Sequence, residues 1–145
     1  MYIHIEDIED LAARFENTAI PAEEWTHPAH LVVGIWHVLH FTKEESIIRL
    51  RSRIITMNNV HGTPNSASRG YHESITLFWV WLLDEYIRRN NCIHELETYN
   101  NFLKSPYQKS DLLFRFYSRE KLFSVEARAI WVNPDLKALD FEAIG

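Results

Sequence analysis

The chain has few places where it can turn sharply. Its four glycines and five prolines fall mostly in clusters between apolar segments. Such sparse punctuation disfavours a many-turned β architecture and favours helices joined by short loops. Hydrophobic residues make up 46% of the 145, enough for a chain of this length to bury roughly two-thirds of its unfolded surface. The expectation is an all-α fold, one domain over 1–145, built as a helical bundle of about six to seven helices.

Periodicity and caps place those helices. Ile5, Ile8, Leu11, Ala12 and Phe15 recur at spacings of three and four and predict an amphipathic helix over 6–17. Thr26 is a good N-cap for a second helix reaching about Phe41, with Pro28 tolerated in its first turn. Thr42 with Glu45 forms a capping box for a third helix over about 43–59, striped by Ile47, Leu50, Ile54 and Met57. The segment "HGTPNSASRG", 61–70, reads as a loop. A fourth helix from Tyr71 to Asn90 is apolar nearly all round between Ile75 and Leu83, which predicts a central position. Shorter helices are expected at 93–104, 110–117 and 119–130, the last capped by Ser118.

A net charge of −5 repels phosphate backbones, so nucleic acid is not an expected partner. Cys92 is the only cysteine, which excludes an internal disulfide and any zinc site needing two thiolates of one chain. A reducing, cytoplasmic location follows as the expectation. The start, "MYIHIEDIED", lacks the basic and apolar regions of a signal peptide. Leu77 to Leu83 is the longest apolar run, far below the ~20 residues that span a bilayer. No membrane partner is expected, whereas the oily helix faces leave a homo-oligomer open.

The segment "EWTHPAHLVVGIWHVLH", 24–40, holds four of the chain's histidines. At about 100° per residue, His27, His30, Gly34 and His37 share roughly a quarter of the second helix's circumference. His40 lies further round, toward solvent. Gly34 costs about 1 kcal/mol relative to alanine in a helix, so close approach of a backbone or ligand is the better reason for it. The fourth helix begins Tyr71, His72, Glu73. If the second, third and fourth helices run up, down and up, the first turns of the second and fourth share one end of the bundle. His27 and His30 would then meet His72 and Glu73.

Two occupants suit such a pocket. A divalent Zn, Fe, Mn or Ni ion would take His27, His30 and His72 as ligands, with Glu73 as ligand or base. A small anionic molecule would instead gain from the paired helix N-termini, which also keep imidazoles neutral enough to act as bases. In the catalytic version His72 and Glu73 move protons, while Arg128, Tyr71 and Trp25 bind substrate. Arg128 could clamp a carboxylate, or equally pair with Glu126. Of "RLRSR", 49–53, Arg49 and Arg53 share a face while Arg51 turns away, which reads as a solvated surface. Phe78, Trp79 and Trp81 read as core, and Cys92 as structural.

At these residues the chain resembles a family of small bacterial helical proteins. "WTHPAHLVVGIWHV", "YHESITLFW" and "YSREKLFSVEARAIWVNPD" are similar to that family's W/F-x-H-x-x-H-L and YHETxT segments, across Phe15 to Asp135. The resemblance implies that Trp25, His27, His30, Tyr71, His72, Glu73, Thr76, Ser118 and Arg128 occupy characteristic positions. This chain has His37 where the family has an aromatic residue, and Ser74 where it has threonine. The family carries no established activity, so the resemblance implies a shared site without naming its use.

Two functions are therefore expected from different classes. One is a ligand-binding protein or enzyme with a His/Glu pocket at the N-terminal ends of the second and fourth helices. The other is a non-catalytic interaction or dimerisation module, in which the histidines form a buried structural network.

Overall fold

The computed structural model describes every residue from Met1 to Gly145. It is all helical, with no strand. The seven α-helices are α1 (Ile5–Glu16), α2 (His27–His40), α3 (Lys43–Val60), α4 (Glu73–Arg89), α5 (Leu96–Lys104), α6 (Arg119–Leu122) and α7 (Val125–Ala129). No helix is long and apolar enough to cross a membrane.

Local chemistry sets most of the helix starts. The Thr26 hydroxyl accepts from the Ala29 N–H at 3.3 Å to open α2, and Thr42 does the same for Glu45 at 3.1 Å to open α3. Four segments depart from the sequence expectation, the simplest being the helix expected at 93–104, which starts at Leu96. α4 begins at Glu73 rather than Tyr71 because His72 is extended and is itself the cap, its Nδ1 accepting from the Ile75 N–H at 3.2 Å. The helix expected over 119–130 is two helices. Ser124 is extended, and its hydroxyl accepts from the Ala127 N–H at 3.1 Å, so a second cap interrupts the run. The segment expected as a helix at 110–117 forms only a 3-10 turn over Leu112–Arg115.

α4 is central, packed against α2, α3 and α7. Its Phe78, Val80, Leu82 and Leu83 are buried, and truncating a side chain such as Phe78 costs about 3–5 kcal/mol. α1 adds Ile8, Leu11, Ala12 and Phe15, the stripe its periodicity predicts. One connected apolar cluster runs from Ile8 to Ile144. Past α7 the chain is pinned across the start of α4. The Ser74 hydroxyl donates to the Ile130 carbonyl at 2.9 Å and accepts from the Val132 N–H at 3.1 Å.

Helices α2 and α4 run the same way, as the up-down-up topology predicts. His27 meets Trp79 edge to face, with ring centroids 5.3 Å apart. One turn and more further on, a Cβ on Gly34 would lie 2.6 Å from Leu83 Cδ1. The missing side chain is what lets these helices approach. Their ends, however, are staggered. The first residue of α2 meets the seventh of α4, and the eighth meets the eleventh, so α4 starts three to six residues, about 5–9 Å, before the level of His27.

Candidate functional site

Between α2, α3 and α4 lies a cavity of about 260 Å³. Leu31 and Gly34 of α2, Leu50 and Ile54 of α3, and Ile75, Val80 and Leu83 of α4 make it mostly apolar. Trp25 and Trp79 flank it, and its only polar side chains besides their indoles are His27, His30 and Thr76. Trp79, partly buried against the core cluster as expected, also lines the cavity.

The two histidines are held alike. The His27 Nε2–H donates to the Gln108 carbonyl at 2.7 Å, leaving Nδ1 without a protein partner. The His30 Nδ1–H donates to the Thr26 carbonyl at 2.7 Å, leaving Nε2 without one. A backbone carbonyl thus selects each tautomer and fixes each ring. Trp25 lies flat on His30, with centroids 3.7 Å apart and an interplanar angle of 28°, and stacks in turn on Phe15. Desolvation by these surroundings pushes the His30 pKa down, more than the Thr26 carbonyl raises it. His30 is nevertheless an exposed residue, and solvent screening limits the drop. The direction leaves His30 neutral at pH 7.

His72 and Glu73 do not join them. His72 is buried. Its Nε2–H donates to the Leu122 carbonyl at 2.6 Å while Nδ1 caps α4, so neither nitrogen is left for a metal or a proton. Burial lowers its pKa, helped by the Arg128 charge and opposed by the Leu122 carbonyl. Glu73 is forked by Arg51, whose Nε and Nη2 donate at 2.9 and 2.6 Å, and it also accepts from the Tyr71 hydroxyl at 2.6 Å. Burial pushes its carboxyl up, but the Arg51 fork and the Tyr71 hydroxyl outweigh it and hold the pKa below the usual range. No three His, Cys, Asp or Glu side chains converge closely enough to hold a metal ion. The expected ligand set His27, His30 and His72 is corrected accordingly, and the donors present do not fit a metal centre.

Glu73 and Arg51 belong to a second depression, a cleft of about 500 Å³ shared with Tyr71, Arg128 and the 65–67 loop. Arg128 does not pair with Glu126. Its Nη1 donates to the carbonyls of Gly70 at 2.9 Å and Tyr71 at 3.4 Å, and it has no carboxylate partner. Arg128 and Tyr71 thus share one cleft, while Trp25 belongs to the histidine cavity.

The remaining expected positions are structural. Thr76 donates to the His72 carbonyl at 3.0 Å from the cavity wall. Ser118 caps α6 and donates to Asp135 at 2.6 Å. His37 is buried away from the cavity, its Nδ1–H on the Val33 carbonyl at 2.8 Å and its Nε2 sealed in the core without a partner. His40 is exposed, as its helix position predicts. Half-buried Cys92 has its thiol pKa raised by burial, which suits a structural role.

Arg51 is the site residue that reading for charge clusters missed. Its turn away from Arg49 and Arg53 was the signal: those two pair with Glu45 and Glu16, while Arg51 faces Glu73. The Gln108 and Leu122 carbonyls carry no side-chain signal at all. The fold and site together define an all-helical bundle with an apolar cavity, open to the surface and edged by two oriented imidazoles. Comparisons with protein-family models, with curated proteins and with solved structures found no match.

Proposed function

We propose that this protein binds a small, mostly apolar molecule in the α2–α3–α4 cavity and that His30 acts there as a general base. One observation carries the reading: His30 and His27 both line the cavity, each anchored to a carbonyl through one ring nitrogen, with the other unpartnered. An oriented neutral imidazole beside an apolar space is the arrangement proton abstraction needs. Its pKa, lowered by desolvation, leaves His30 in the basic form at pH 7. Trp25 and Trp79 would hold a flat or aliphatic body, and His27 would receive or return a proton at its Nδ1. The single free thiol favours a reducing, cytoplasmic setting.

The interaction-module reading draws support from His72, whose two nitrogens are both engaged inside the fold, and from buried His37, bonded to the Val33 carbonyl. It does not account for the free nitrogens of His27 and His30.

The test uses 5-nitrobenzisoxazole, a small aromatic substrate whose ring opens when a base removes one proton. The expected result is saturable turnover that falls at least about tenfold in His30→Gln, with the acid limb of its pH profile below the ordinary imidazole value of about 6.5. Turnover no faster than in equimolar imidazole, or unchanged in the variant, overturns the base assignment.

A further inference from the structure

The 500 Å³ cleft on the neighbouring face of α3 and α4 is separate from the histidine cavity. Leu50 and Ile54 of α3 face the cavity, whereas Arg51 and Ile55, one position further round, face the cleft. Its charges do not cancel. Arg51 is neutralised by Glu73, which leaves Arg128 as an uncompensated guanidinium in a depression whose other walls are Ile55, Ala67, Val125 and Ala129, with Tyr71, Asn65 and Ser66.

The arrangement around Arg128 is fixed by the chain itself. Gly70 has φ +82°, and a Cβ there would run into the Pro64 carbonyl, so only glycine fits. Asn65 ties the loop down, its Oδ1 accepting from the Tyr71 N–H at 3.0 Å and its Nδ2 donating to the Ile55 carbonyl at 3.0 Å. The braced loop aims the Gly70 and Tyr71 carbonyls at Arg128 Nη1. Nε and Nη2, the edge that takes a carboxylate through two parallel hydrogen bonds, have no partner in the protein.

We infer that this cleft binds a small monocarboxylic acid, its carboxylate on Arg128 and its short apolar body on Val125, Ala129 and Ile55. A single uncompensated cation matches a single negative charge. One guanidinium leaves half of a phosphate dianion's charge uncompensated. The apolar walls favour an aliphatic acid over a polar one, and the overall charge of −5 means that attraction is local to Arg128.

Hexanoate, hexanamide and inorganic phosphate are titrated into the ¹⁵N-labelled protein, with amide shifts read by NMR. Hexanoate is expected to bind with Kd on the order of 1 mM and to shift amides of residues 65–73 and 125–129. Hexanamide and phosphate are expected to bind at least about tenfold more weakly. Arg128→Gln should weaken hexanoate at least about tenfold, Arg128→Lys less, and His30→Gln not at all. The inference is overturned by hexanoate that fails to bind, by hexanamide binding equally well, or by shifts centred on residues 27–34 that His30→Gln abolishes. The hexanamide comparison needs no variant and decides the matter even if Arg128→Gln does not fold. Because the probe differs from the benzisoxazole, failure here leaves the histidine cavity untouched, and the converse holds.

Discussion

The starts of α2 and α4 carry the same residue type and use it in opposite ways. At α2 the cap is a threonine, so the histidines at its first and fourth positions each keep one nitrogen free at a cavity. At α4 the histidine is the cap, and the Leu122 carbonyl takes its other nitrogen. An imidazole offers two hydrogen-bonding atoms. Where a helix end and a carbonyl claim both, it is part of the fold. Where one is left over at a cavity, as in His27 and His30, it can meet a ligand; the spare nitrogen of His37 is sealed in the core and meets none.

The largest expected effect breaks this contrast if it fails. His72→Ala removes a helix cap and a buried ring and strands the Leu122 carbonyl. It should lower unfolding free energy by about 2–4 kcal/mol in urea denaturation, against less than about 1 kcal/mol for His30→Ala. Equal losses would mean that the α2 histidines are structural as well. Glu73→Gln comes next. It leaves Arg51 without its fork partner, but the arginine is substantially exposed, so about 1–2 kcal/mol is expected on the same measurement.

A smaller effect is in the pH dependence. Burial holds the His72 and His37 pKa values below their unfolded value. The unfolded chain therefore takes up protons first as pH falls. This stabilisation is complete above about pH 6.5 and is lost progressively below it. The thermal midpoint should fall from pH 7 to 5, and less steeply in His72→Asn, which keeps a capping side chain that does not titrate. Glu73, with its depressed pKa, adds a loss with the same sign in a lower window, below its usual carboxyl range. The smallest effect sharpens the cavity side. Gly34→Ala gains about 1 kcal/mol of helix propensity but forces Leu83 Cδ1 aside from 2.6 Å. Net stability should change by less than about 1 kcal/mol while benzisoxazole turnover drops.

Much of this was legible in the residues. Thr26, Thr42 and Ser118 announce helix starts because a cap bonds within three residues of itself. The parallel course of α2 and α4 followed from connectivity. The mistake was to equate a shared direction with a shared level. Staggered by about 5–9 Å, the two starts contribute to different places: His27 and His30 to the cavity, Glu73 to the cleft with Arg51. His72 looked like a ligand because its sequence neighbours cannot reveal a carbonyl fifty residues away.

The sequence by itself determined that the chain is helical, where most helices begin, and which histidines share a face. Those properties depend on hydrogen bonds and side-chain spacing within a turn or two. Which nitrogen of each ring stays free, and that Arg51 rather than a histidine meets Glu73, was decided only in three dimensions. Gln108, Leu122 and Gly70 act there through backbone carbonyls, groups that every residue carries and no side-chain pattern records.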